Sequence, residues 1–287
     1  IYISGRASGP ETETQIVNTG LIKGYSAIVV VASTNLYSDV RLTNYGSIVS
    51  ASSSNAAFVN DHPNSMDTII NEGLMAGVIY TGGSTDVLIN RGSITGMVDM
   101  GAGIDHVDNS AGQDARNRFN LGSGNDTLMA GSAKEHIDGS LGFDTASYRY
   151  SNGVRVNLTD LSLNTNEAAG DFLTGIEKVD GSEFYADNLT GDLSANHLFG
   201  DGGADILSGA GGTDTLQGGA GNDRLTGGAG NDTFRFYADE SGRDVITDFS
   251  NVTGNNDRFL IEAPMLGLPA GPLAAANFRA KSDNLAV

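Results

Sequence analysis

Cysteine is absent from the chain, so neither disulfides nor thiolate metal sites can staple its fold. Histidine is scarce. The four present, His62, His106, His136 and His197, form no H-E-x-x-H pair, and there is no G-x-S-x-G elbow, so the zinc-protease and serine-hydrolase signatures are missing. No apolar run reaches the ~18 to 20 residues of a membrane-spanning helix. The N-terminus starts at Ile1 without a basic segment followed by an apolar one, so an export signal is expected to have been removed or to lie elsewhere. Positive charge is also short: 16 lysines and arginines face 35 acidic residues among 287, a formal charge of −19. Such a surface repels phosphate. Nucleic acid is not an expected partner, and the acid must face water, a cationic partner or bound metal ions.

Glycine, by contrast, is abundant at 40 residues, and it recurs on a period. In frame from Ser182 the chain reads SEFYADNLT, GDLSANHLF, GDGGADILS, GAGGTDTLQ, GGAGNDRLT and GGAGNDTFR, six nonapeptides without a gap. Their sixth positions are Asp187, Asn196, Asp205, Asp214, Asp223 and Asp232, and their eighth positions are Leu189, Leu198, Leu207, Leu216, Leu225 and Phe234. Each unit offers one tight turn and one short strand with a single inward apolar residue. One such strand cannot bury itself, but stacked at roughly 4.8 Å the apolar residues form one ladder and the aspartates another. Like charges about 5 Å apart at an effective dielectric near 20 repel by roughly 3 kcal/mol per pair, so a divalent cation is expected between the rungs. Carboxylate and carbonyl oxygens suit Ca²⁺ better than zinc or copper.

The last two units fill every fixed position of G-G-x-G-x-D-x-U-x, and the block resembles the nonapeptides of the RTX, or repeats-in-toxin, family. The competing reading, plain Gly-Asn-Asp surface turns, leaves six in-frame copies unexplained. The resemblance implies a parallel β-roll in which two nonapeptides make one 18-residue coil. Asp187, Asp205 and Asp223 then line one edge and Asn196, Asp214 and Asp232 the other, with calcium between successive turns shaped by Gly202, Gly211, Gly219, Gly221, Gly228 and Gly230. Asn196 loses a charge and SEFYADNLT lacks the glycines, so the first sites are expected to be weaker.

A more worn block, residues 100–147, precedes this one (182–235). MGAGIDHVD starts at Met100, and GQDARNRFN, LGSGNDTLM, AGSAKEHID and GSLGFDTAS run in frame from Gly112 to Ser147. Asp126 and Asp144, 18 apart, form its best pair of ligands. Asp105 keeps the motif but lies beside a three-residue offset and is expected to serve at most one ion, and Glu135 is expected as a longer substitute ligand. Asn117 lies between Arg116 and Arg118, whose charge is expected to leave that turn without calcium. Residues 148–181 resemble the linking segments between RTX blocks, with strand character through Val154, Val156 and Leu158.

Residues 1–99 repeat differently, through the core N-x-G-x-[IM] at Asn18, Asn44, Asn71 and Asn90, separated by 26, 27 and 19 residues. Such spacing suits a parallel β-helix in which stacked Asn amides satisfy one another, the alternative being a plain antiparallel β domain. One continuous all-β parallel solenoid, with no flexible linker near residue 100, is the simpler expectation. Residues 236–287 resemble the segment after the last repeat in RTX proteins: Asp244 and Asp248 are expected to close the final turn, and Val245, Ile246 and Phe249 to cover its apolar end. LAAANFRAKSDNLAV is similar to the beginning of the family's tail, which carries an uncleaved secretion signal further on.

No residue set reads as catalytic. NDHPN around His62 does not complete one, Arg6, Arg41 and Arg91 are too scattered to line a groove, and His106 and His197, at variable seventh positions, are expected to face solvent. The sequence therefore points to a secreted calcium-binding structural protein of a bacterial surface or extracellular matrix. Ile1-Tyr2-Ile3 at an open solenoid end could template head-to-tail filaments or a surface layer. The alternative is a C-terminal targeting or stabilising module of a larger secreted polysaccharide lyase, epimerase or hydrolase, with polysaccharide as partner.

Overall fold

A computed structural model describes residues 2–4, 14–31, 39–113, 118–237 and 241–262. Short strands alternate with turns, and each circuit of the chain lays a new strand in parallel on its predecessor. One long sheet runs through twelve strands, from Thr14–Asn18 to Arg258–Glu262. Its inward row, in register, is Leu42, Ile69, Leu88, Val107, Leu128, Ala146, Val179, Leu198, Leu216 and Phe234, all buried. From Val107 onward, all but Val179 of these are eighth-position residues of the nonapeptides. Strands of three to five residues suffice because each contributes one side chain to a continuous core, with outward neighbours left to solvent.

A facing sheet of eight parallel strands, from Tyr2–Ser4 to Phe172–Thr174, supplies the opposite wall through Phe58, Ile79, Val98, Phe119, Ile137 and Leu173. In the first coils a third wall joins them, made of Leu21–Gly24, Ser47–Ser50, Leu74–Ala76 and Ser93–Ile94. Its strands shorten from four residues to two before the wall ends. The described strands of residues 2–99 thus pair in parallel, and the antiparallel alternative does not hold. The long sheet crosses residue 100 without interruption, Val87–Asn90 pairing with His106–Asp108.

The asparagine corner forms as the spacing suggests. Asn18 Nδ2 donates to Asn44 Oδ1 at 2.8 Å, Asn44 to Asn71 at 2.7 Å, Asn71 to Asn90 at 2.8 Å and Asn90 to Asn109 at 2.7 Å. Asn109 then donates to Glu135 Oε1 at 2.9 Å, so the stack continues further than the N-x-G core shows. The glycine two residues after Asn44, Asn71 and Asn90 is required by close stacking: a Cβ at Gly46 would collide with the carbonyl oxygen of Gly20, one at Gly73 with that of Gly46 and one at Gly92 with that of Gly73.

One circuit is longer. Between Thr145–Ser147 and Lys178–Asp180, neighbours in the long sheet, the chain makes Val154–Asn157, a short 3₁₀ turn at Leu161–Leu163, Thr165–Asn166 and Phe172–Thr174. Phe172–Thr174 closes the facing sheet against His136–Asp138, whereas Val154–Asn157 starts a new sheet beneath Asn188–Thr190. The facing wall therefore changes hands inside one excursion while the long sheet passes through unbroken. Val154 and Val156 are buried and Leu158 packs against them, as the sequence suggests. At the far end, Phe249 and Phe259 stack at 4.6 Å between ring centroids, beside Phe234. Ile246 continues the inward row on Leu225, but Val245 pairs with the outward Arg224 and is exposed; it does not help to cover the end as expected.

Candidate metal centre

Two corners of the solenoid carry acids, each acid immediately preceding a strand. Along the long sheet, the backbone N–H of each rung donates to the carboxylate of the next coil. Asp67 donates to Asp86 Oδ1 (2.6 Å), Asp86 to Asp105 (2.7 Å), Asp105 to Asp126 (2.7 Å), Asp126 to Asp144 (2.8 Å) and Asp144 to Glu177 Oε2 (2.9 Å). The series resumes with Asn196 to Asp214 (2.8 Å), Asp214 to Asp232 (2.9 Å) and Asp232 to Asp257 (3.1 Å). On the other corner Val154 donates to Asp187 (2.6 Å), Asp187 to Asp205 (2.8 Å), Asp205 to Asp223 (2.9 Å) and Asp223 to Asp244 (3.0 Å). Asp187, Asp205 and Asp223 thus share one edge and Asn196, Asp214 and Asp232 the other, 18 residues per coil.

The repeated contact uses only one carboxylate oxygen. The second oxygen, Oδ2, of Asp67, Asp86, Asp105, Asp126, Asp144, Asp205, Asp214 and Asp232 is buried without a hydrogen-bond partner. An ionised oxygen in that position has lost its water and gained nothing. Burial accordingly pushes Asp105, Asp144, Asp205 and Asp214 up to about 7, Asp86 to about 8, and raises Asp126, Asp187, Asp232 and Asp244 as well. A hard cation at these corners would supply the missing partner. Among the described residues no three acidic or histidine side chains converge on one point. Each ion would therefore draw on carboxylates from successive coils and on turn carbonyls, a donor set suited to Ca²⁺.

The turns leave room for this. Gly221 and Gly230 have φ of +155° and +137°, and a Cβ on either would strike the carbonyl oxygen of Gly203 or Gly212 in the coil before. Gly219 and Gly228 occupy the same turns, Gly202 bridges to Ala220, and Gly211 pairs with Ala229. Two expected rungs lack a free carboxylate oxygen. Asp187 Oδ2 accepts the Ser182 N–H (2.6 Å) and hydroxyl (2.9 Å), and Asn196 presents an unpartnered Nδ2 where its neighbours present oxygen.

Several placements differ from those expected. Asp105 is not isolated by the offset beside it. The circuit from Asp105 to Asp126 takes 21 residues instead of 18, and Asp105 stacks between Asp86 and Asp126 as an interior rung. Asn117 and Arg116 lie outside the described residues, as does Arg6; Arg118 is exposed. Glu135 sits under the asparagine corner, its Oε1 accepting from Asn109 and Gly131, while its N–H donates to Asp171. Its carboxyl is held well above the usual range by burial and then by the charge of Asp171, which the Tyr148 hydroxyl bonds at 2.8 Å. His197 does not face open solvent: it is half-buried, its ring against Phe143 and Phe199. In the C-terminal segment Asp244 takes the Asp223 N–H, and Asp248 takes those of Gly227 and Gly228.

Asp67, Asp86, Asp171, Glu177 and Asp257 are rungs that glycine-based reading misses. All five keep the second half of the unit, an acid two residues before an inward apolar one: Ile69, Leu88, Leu173, Val179 and Phe259.

The profile of the RTX calcium-binding nonapeptide repeat matches residues 111–146, 184–216 and 208–240, in four copies. No curated protein matches the chain significantly. RTX repeats bind Ca²⁺ and are typical of secreted proteins. Among the described residues, no helix is long and apolar enough to cross a membrane. Matched repeats, stacked aspartates and parallel coils coincide in one structure: this chain is a calcium-binding parallel β-solenoid carrying RTX nonapeptide repeats.

Proposed function

We propose that the chain is a secreted structural protein of a bacterial surface or extracellular matrix, which folds on calcium outside the cell and associates end to end. The observation that carries this reading is the row of buried carboxylate oxygens without partners on both acidic corners. Their repulsion opposes folding where calcium is scarce and is relieved where it is plentiful, so the binding free energy becomes folding free energy. The ligands in this reading are Asp105, Asp126, Asp144, Asp205, Asp214, Asp223 and Asp232, with carbonyls of the turns containing Gly202, Gly211, Gly219, Gly221, Gly228 and Gly230. Asp244 closes one corner. Asp187 and Asn196 contribute less, and Glu135, engaged by Asn109, is left out of the set.

End-to-end association rests on the inward rows. Ile16 and Ile22 are only partly buried, while Leu42 and Ile48, stacked on them, are fully buried; Phe259 is 38% exposed against none for Phe234. Core residues thus reach solvent at both described ends, where a further coil could cover them. Electron microscopy of the purified protein with and without calcium tests the reading. Rods longer than the roughly 55 to 60 Å of twelve stacked strands are expected in calcium. Single short rods at every calcium level would defeat the assembly reading.

A second reading, the stabilising module of a larger polysaccharide-active protein, draws support from a shallow groove of about 220 Å³ on the facing sheet. Met97, Arg118, Asn120, His136, Asp138 and Ser140 line it, with Phe172 beside His136, a mixture of ring, cation and carboxylate that suits a sugar chain. Binding of oligosaccharides to this face, lost on His136→Ala, would favour it.

A further inference from the structure

We propose that the calcium-binding corner reaches into the three-walled part of the solenoid, with a Ca²⁺ site between the turn Thr81–Asp86 and the turn Met100–Asp105. The inference rests on the calcium reading of the aspartate corner and concerns a coil outside the matched repeats, which begin at residue 111.

The stretch TGGSTDVLI, residues 81–89, aligns without a gap on MGAGIDHVD and LGSGNDTLM. Serine replaces the second turn glycine and hides the unit, yet the backbone keeps a positive φ at both turn positions. Gly82, Gly101 and Gly122 have φ of +93°, +88° and +97°, and Ser84 sits at +78° where Gly103 and Gly124 have +152° and +142°. The turns also stack in the register of the matched block. Gly83 bridges to Ala102 and Ala102 to Ser123, as Gly202 bridges to Ala220. The carboxylates repeat the relation too: Asp86 N–H donates to Asp105 Oδ1 at 2.7 Å, as Asp205 donates to Asp223 at 2.9 Å.

The independent sign of a ligand is in the side chains. Asp86 is fully buried and Asp105 is 2% exposed, and the Oδ2 of each has no hydrogen-bond partner; the Thr81 hydroxyl, close to the Asp86 carboxylate, donates to the Met100 carbonyl at 2.8 Å. Two buried carboxylate oxygens on consecutive turns, with main-chain carbonyls, no imidazole or thiolate in either turn and the Met100 thioether packed into the apolar core, select a hard divalent cation of calcium's kind. The same coil carries Asn90 of the asparagine corner, bonded to Asn71 and Asn109. Metal-dependent and metal-independent stacking would then hold opposite ends of one strand.

The test compares Asp86→Asn with Asp214→Asn in the whole chain, by equilibrium dialysis against calcium with atomic absorption. Each variant is expected to lose at least one ion per chain relative to wild type. Full wild-type stoichiometry in Asp86→Asn, with ions lost in Asp214→Asn, overturns this inference and leaves the calcium reading of the repeats standing. No loss in either variant overturns both. Hydrogen exchange of the wild-type chain gives a readout that needs no variant. Residues 82–87 are expected to slow by tenfold or more on calcium addition, and exchange there that ignores calcium while residues 200–230 respond also overturns the inference.

Discussion

Asp86 and Asn90 flank and end one four-residue stretch of the long sheet, and each belongs to a different ladder. Asp86 passes its N–H to the carboxylate of Asp105; Asn90 passes its side-chain amide to Asn109. The amide ladder is self-sufficient, since every Asn both donates and accepts. The acid ladder is not, because Asp86, Asp105, Asp126, Asp144, Asp205, Asp214 and Asp232 each keep an oxygen that protein alone does not satisfy. The two corners should therefore respond differently to calcium.

Chelation should separate them. In calcium-free buffer, hydrogen exchange is expected to accelerate at least a hundredfold over residues 188–246, while residues 40–50 and 69–76, held by Asn44 and Asn71, change by less than tenfold. Equal acceleration throughout would show that the corners do not act independently.

Asn71→Ala should destabilise without releasing calcium. It removes the acceptor of Asn44 Nδ2 and the donor to Asn90 Oδ1, both buried, for a cost of about 2 to 3 kcal/mol. A thermal midpoint several degrees lower, at unchanged calcium stoichiometry, is the expected outcome; a lost ion would contradict the separation.

How much of this was legible in the sequence follows from what each corner demands. The asparagine corner is readable because two requirements recur two residues apart: an amide that can donate and accept, and a glycine whose missing Cβ lets the coils close. The inward row is readable because one apolar residue per nonapeptide is the only core available. The acid corner demands less than the glycine pattern suggests. It needs an acid before the strand, and the turn in front can be tight, as at Gly221, or wide, as in residues 60–66 before Asp67. Such turns break the nonapeptide glycine pattern, and so Asp67, Asp171 and Asp257 show only an acid two residues before an apolar residue. Asp105 is misjudged for a related reason. Counting along the chain registers an offset, whereas stacking depends only on where each circuit returns.

The pH dependence should reverse with calcium. In the metal-free chain burial raises Asp86 to about 8 and Asp105, Asp144, Asp205 and Asp214 to about 7, from 3.8. A raised carboxylate pKa contributes stability that is complete below the unfolded value near 4 and is lost as pH rises through 7 to 8. Calcium requires the ionised form, so its binding strengthens over the same window. Thermal midpoints are expected to fall from pH 5 to pH 8 without calcium and to rise with it. Parallel trends in the two buffers would refute the linkage.

The last comparison uses position within the ladders. Asp105 lies between Asp86 and Asp126, and Asp214 between Asn196 and Asp232, so each is an interior rung able to serve an ion above and one below. Asp187 heads its own series, and its Oδ2 is already held by Ser182. Removing the charge from an interior rung leaves two ions short of a ligand, whereas at Asp187 it removes a group that protein donors already satisfy. Asp105→Asn and Asp214→Asn are therefore expected to weaken calcium binding comparably, each by tenfold or more, and Asp187→Asn by less than threefold, measured by calorimetric titration in one buffer. A loss at Asp187 matching the other two would show that an unpartnered oxygen does not mark the ligands, and the assignment of the acid corners would fall with it.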